Sequence, residues 1–99
     1  MSDAVALLHA LIAAEPRALA RALHPRATLH RADGSVVAGR ESVIAALCDE
    51  ADGARYQVIG VEGEALVVVR TLEDVPGALR FALRGEVAQG RLITVRVSA

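Results

Sequence analysis

The chain has 99 residues, 54% of them apolar, and a net charge of −1. That suffices for a core in a single domain over residues 1–99. It excludes the basic stripe of a nucleic-acid binder, because the 11 basic residues, all arginine, are interspersed with 12 acids.

Residues 4–13 carry Ala4, Leu7, Leu8, Leu11 and Ile12 at helical spacing, which predicts a first helix capped by Ser2 or Asp3. Asp3 stands where a secretory leader would be basic, and no apolar run approaches the ~20 residues of a membrane span, so a cytoplasmic protein without a membrane partner is expected. Pro16 suits the first position of a second helix running to about Leu23, and His24-Pro25 ends it. Ala27 to Arg31 then reads as a short strand, Asp33-Gly34 as a tight turn, and Ser35 to Ala38 as the partner strand. Glu41 to about Ala51 is a third helix with Val43, Ile44 and Leu47 inward. Cys48 on that helix reads as a half-buried, inert structural thiol, and being alone it forms no intramolecular disulfide.

From Arg55 the period becomes alternating. Arg55 to Glu62, Ala65 to Leu72, Ala78 to Val87 and Arg91 to Val97 read as four strands, with residues 73–77 as a loop around Pro76. The fold class is α+β: a curved antiparallel sheet wrapped around three helices. Tyr56 and Phe81 are the two aromatic residues, so the core must be aliphatic. Small side chains fill space where layers approach closely or where a second subunit covers them.

The order of these motifs resembles the SnoaL-like branch of the ketosteroid-isomerase-like superfamily, which has the cone-shaped fold of nuclear transport factor two. The resemblance rests on the helix break at Glu15-Pro16, on Leu23-His24-Pro25-Arg26-Ala27-Thr28-Leu29, on Asp33-Gly34 followed by Gly39-Arg40-Glu41-Ser42-Val43-Ile44, and on the closing Gly90-Arg91-Leu92-Ile93-Thr94-Val95-Arg96-Val97. It implies a pocket at the mouth of the cone. It also implies where an isomerase would keep its machinery. The basic aspartate falls on Arg31, the tyrosine donor on Leu7, and the second acidic donor near Ala82, between Phe81 and Leu83. Arginine stays protonated and cannot accept a proton, and the other positions are apolar, so no catalytic residue is assigned and steroid-isomerase chemistry is excluded. The epoxide-hydrolase branch would need two acids around an arginine. Asp33 reads as a turn former, and among the strands Glu86 is the best remaining acid.

His9, His24 and His30 lack the i, i+4 spacing of helical metal pairs, so neither a metal nor a cofactor is expected. If Arg31 points inward, His30 points outward. Leu79, Phe81 and Leu83 share one strand face, as do Ile93, Val95 and Val97; Arg80, Arg84, Thr94 and Arg96 share the other. With the apolar face inward, the arginines lie on the convex side and need carboxylates such as Glu62, Glu64 or Glu86. This predicts a homodimer through the convex face. The pocket would then be aliphatic, with Arg31, Tyr56, Leu7, Leu11, Phe81 and Val95 as ligand-binding candidates. The expected ligand is small, apolar and weakly anionic. The leading functional expectation is a non-catalytic binding or interaction module. The alternative is a small-molecule isomerase, cyclase or hydrolase that uses Arg31 as an anion clamp with a base not yet identified.

Overall fold

The computed structural model describes residues 3–99. Three helices and six strands follow in the order α1 (Asp3–Ile12), α2 (Pro16–Ala22), β1 (Leu23–His30), β2 (Val36–Ala38), α3 (Arg40–Ala51), β3 (Ala54–Glu62), β4 (Ala65–Leu72), β5 (Val75–Ala88) and β6 (Arg91–Ser98). The strands form one sheet in the order β2-β1-β6-β5-β4-β3. The architecture is the expected α+β curved sheet. It is mixed rather than wholly antiparallel, since β1 and β6 run parallel.

Helix α1 buries Ala4, Val5, Leu8 and Leu11 against β4, β5 and β6. Ser2 lies outside the described residues. After Ala14, which takes a positive φ of 50°, Glu15 caps α2: its carboxylate accepts from the N–H groups of Arg17 at 3.2 Å and Ala18 at 2.9 Å. Such a cap contributes on the order of 1 kcal/mol.

Two boundaries and one strand face differ from the sequence expectation. Helix α2 ends at Ala22, and β1 begins at once at Leu23, so His24-Pro25 lies inside a strand. The pairing of β1 with β6 is irregular between Leu23 and Thr28, where Pro25 has no N–H to offer the ladder. The expected loop at 73–77 is a tight turn, and β5 already starts at Val75. Pro76 and Gly77 fall in the shifted register between Thr71 and Leu72 of β4, a bulge that tolerates proline. Finally, a bulge in β6 takes Ile93 out of the expected inward set, of which Val95 and Val97 remain inward. Val87 pairs with Leu92 but Glu86 pairs with Thr94, so Leu92 and Val95 are fully buried and Ile93 is only half-buried.

The core is the aliphatic layer between helices and sheet: Leu8, Leu19, Leu23, Leu29, Leu66, Leu92, Val5, Val43, Val68 and Val95 are all essentially inaccessible. No polar or charged residue is buried among those described. On the opposite face, Arg80 pairs with Glu62 at 3.3 Å and Arg96 with Glu86 at 3.8 Å. His30 faces the same way, its register partner being Arg96.

Candidate functional site

Past the end of β1, the inward alternation Ala27, Leu29 continues to Arg31. The turn that follows is held by the Arg31 N–H to Ser35 O bond at 2.9 Å and the Gly34 N–H to Arg31 O bond at 3.0 Å. Asp33 accepts the Ser35 N–H at 2.8 Å. The Ser35 side chain and that N–H hold its carboxyl below the usual carboxylate range. Asp33 is thus the turn former expected from Asp-Gly.

Arg31 points into a cavity of about 360 Å³ between the helices and the concave sheet face. Its walls are mostly aliphatic, and the candidates Leu11, Tyr56, Phe81 and Val95 line it with Arg31. Leu7 is not in the lining; it packs, half-buried, against the core cluster. Phe81 meets Tyr56 edge-on, with ring centroids 6.2 Å apart and planes at 90°.

Two further lining residues are absent from the sequence expectation, and both stand beside Arg31 or Tyr56. Glu50 is on α3, and its Oε1 lies 3.2 Å from Arg31 Nε. The inward acid that the strands do not offer comes from a helix. The spacing Val43, Leu47, Glu50 (i, i+4, i+7) places Glu50 on the apolar stripe, a signal available in the sequence. Glu86 pairs with Arg96 on the convex face, as expected of the carboxylates there, and does not reach the cavity. The second residue is Arg70, which follows Leu66 and Val68 on the inward face of β4 and stands opposite Tyr56 in the sheet register.

These groups are tied together at the end of α3. The main-chain oxygen of Glu50 accepts from the Tyr56 hydroxyl at 3.1 Å and from Arg70 Nη2 at 2.6 Å. The Arg70 guanidinium carbon also stands 6.0 Å from the centre of the Tyr56 ring. A helix C-terminus leaves carbonyls without partners and favours positive charge, and Arg70 supplies both a donor and the charge. The Nε atoms of Arg31 and Arg70 are shielded from water yet have no hydrogen-bond acceptor among the described residues. For Arg31 the nearby Glu50 carboxylate provides charge attraction at 3.2 Å without the alignment of a hydrogen bond.

Burial raises the Tyr56 hydroxyl above its ordinary value of 10.0, against a smaller lowering by Arg70. The folded state thus holds this proton more tightly than the unfolded chain. The resulting stability is fully present below the unfolded value and is lost as pH rises through the folded one. Because Tyr56 is the sole tyrosine, near-ultraviolet absorbance reports it directly. Its ionisation is expected to be displaced to more alkaline pH than in the denatured protein. The alkaline fall in Tm is expected to be smaller in Tyr56→Phe. Coincident titrations of native and denatured protein would refute this.

None of the three histidines lines the cavity. His24 Nδ1 accepts the Arg26 N–H at 3.0 Å and its Nε2 meets Gln89 Oε1 at 2.8 Å; His30 Nε2 lies 3.2 Å from Thr28 Oγ1; His9 is exposed. The Cys48 thiol, half-buried, is 3.6 Å from Ala14 O. No cluster of His, Cys, Asp and Glu among the described residues could hold a metal ion, and no described helix is long and apolar enough to cross a membrane.

No family model matches the sequence, and no curated protein is similar to it. Solved structures do resemble it. A protein from Kribbella flavida described as a putative ketosteroid isomerase superposes with a TM-score of 0.78 at 20% identity, over 94% of this chain and 74% of that one. An NTF2-like protein of unknown function from Mesorhizobium loti gives 0.73 at 17% identity, over 87% of this chain and 78% of that one. The chain has the NTF2-like, ketosteroid-isomerase-like fold. The same NTF2-like frame relates it to an LEH-like epoxide hydrolase from M. tuberculosis, with a TM-score of 0.64 at 20% identity, over 97% of this chain and 81% of that one. At these identities the likeness is one of NTF2-like architecture, which hosts many unrelated activities.

Proposed function

We propose that the chain is a binding module that holds a small, largely apolar molecule in the cavity lined by Leu11, Tyr56, Phe81 and Val95, with Arg31 contacting its polar end. The supporting observation is the division of that cavity into aliphatic walls and one polar corner. Its volume of about 360 Å³ is at the low end of the ~300–1,000 Å³ of ligand pockets. Where isomerases of this fold keep a base there is a permanent cation, and Glu50 is engaged by that cation instead of standing free.

A second reading has one observation in its favour: a carboxylate and a guanidinium 3.2 Å apart on a cavity wall are also the parts of an acid–base pair. In it, Glu50 is the base and Arg31 stabilises the developing negative charge. A homodimer through the convex face belongs to the first reading, although Arg80 and Arg96 already hold carboxylates of their own chain.

One series of experiments separates these. Titrating the isotope-labelled protein with octanol is expected to shift the resonances of Leu11, Tyr56, Phe81 and Val95, and Val97→Trp, which fills the cavity, is expected to abolish the shifts. No perturbation at millimolar octanol would sink the binding reading. Glu50-dependent exchange of α-protons in small aldehydes or lactones in heavy water would establish the catalytic one. Light scattering of the same samples at micromolar protein is expected to give the mass of a dimer; a monomer mass removes that part.

A further inference from the structure

The polar corner has a charge pattern that specifies the ligand further, given the binding reading above. Five charged residues border the cavity: Arg31, Arg70, Arg80, Glu50 and Asp33. Two of them are occupied elsewhere, Arg80 by Glu62 on the convex face and Asp33 by the turn. What remains is Arg31, Arg70 and the Glu50 carboxylate, two guanidiniums beside one carboxylate in an aliphatic setting, while Asp33, fixed in its turn, also attracts Arg31. Both remaining guanidiniums keep a shielded Nε without an acceptor among the described residues. Those Nε atoms are closed to water and so to a head group in the cavity, which is received instead by the outer nitrogens of the two guanidiniums.

Glu50 offsets these two guanidiniums only in part. Its carboxylate reaches Arg31 without hydrogen-bond alignment, and the pair is about two-fifths exposed, at 34% and 44%. By contrast its main-chain oxygen is firmly held by Tyr56 and Arg70. The backbone of Glu50 is thus an anchor, while its side chain is a loosely bound internal anion.

We propose that the cavity takes an apolar monocarboxylate whose head group is received by Arg31 and Arg70, and that Glu50 is a specificity residue that competes with this head group for Arg31. Glu50 weakens binding of every anion, so only a ligand with enough apolar surface to fill the cavity displaces it. Short carboxylates such as acetate are rejected for lack of that surface.

The test compares octanoate with octanol, which share the chain and differ in the head group, by calorimetric titration of the full-length protein at neutral pH. Glu50→Gln is expected to tighten octanoate by up to about fivefold, the range of a partly exposed ion pair, and to change octanol by clearly less. Glu50→Ala keeps the main-chain oxygen that Tyr56 and Arg70 bind, and it provides the same readout should the glutamine variant fold poorly. Arg70→Gln is expected to weaken octanoate selectively. If octanol binds and octanoate is no tighter in the Glu50 variants than in the parent, the competition is refuted while the apolar pocket stands. If neither compound binds the parent or the variants, the binding reading itself falls, and this inference with it.

Discussion

Replacing Leu8 with alanine is expected to lower stability by about 3 kcal/mol and the Tm by roughly 12 °C or more. Leu8 is fully inaccessible on α1, and its side chain lies over Gly85 of β5, where an added Cβ would come within 3.4 Å of Leu8 Cδ2. With two aromatic residues in the whole chain, no large neighbour is available to collapse into the space left behind. The transfer loss and the cavity term therefore both apply. Urea denaturation followed by circular dichroism measures it, with an unchanged slope showing that the unfolded state is not the cause. A loss below about 1 kcal/mol would mean that α1 relaxes onto the sheet, contrary to a close-packed interface.

Gly85→Ala is the second large effect, and its sign is the informative part. In a strand at negative φ, replacing glycine by alanine ordinarily stabilises by about 0.4–1 kcal/mol, because it restricts the unfolded chain. Here the new methyl would stand 2.5 Å from Leu92 Cδ2, and Leu92 is fully buried, with its neighbours limiting any escape. Overpacking of this kind costs about 1–3 kcal/mol. Combining Gly85→Ala with Leu92→Ala should lose clearly less than the sum of the two single changes, since the second removes the clashing atom. Strict additivity in this cycle would show that the clash is relieved by backbone movement instead.

Much of the frame is legible in the sequence because it is written in local signals. Pro16, Asp33-Gly34 and Gly39 mark element ends through backbone geometry, and alternation along β1 is enough to place Arg31 inward and His30 outward. The β6 face departs from simple alternation because one extra residue, set between Leu92 and Thr94, reverses it, and nothing in Arg91-Leu92-Ile93-Thr94 signals a bulge. The parallel β1–β6 pair is hidden for another reason: partners such as Leu29 and Val95 come from opposite ends of the chain, and pairing at that distance leaves no local trace. The candidate site is half legible. Arg31, Tyr56, Leu11, Phe81 and Val95 follow from strand and helix faces. Glu50 and Arg70 follow from the same periodicities, but charged residues on an apolar stripe read as exposed until a partner of opposite sign is found across the fold. For Glu50 that partner is Arg31, and for Arg70 it is the dipole of a helix end.

The strand order has a consequence for assembly. Strand β6 is synthesised last of the six, yet it lies between β1 and β5. Without it, the strand order leaves two separate pieces, β2-β1 and β5-β4-β3, each with an unpaired edge where β6 inserts. Such edges invite pairing with other chains. A chain in which β6 is not yet in place therefore presents two such edges at once, and the core around Leu92 and Val95 is complete only when β6 pairs on both sides.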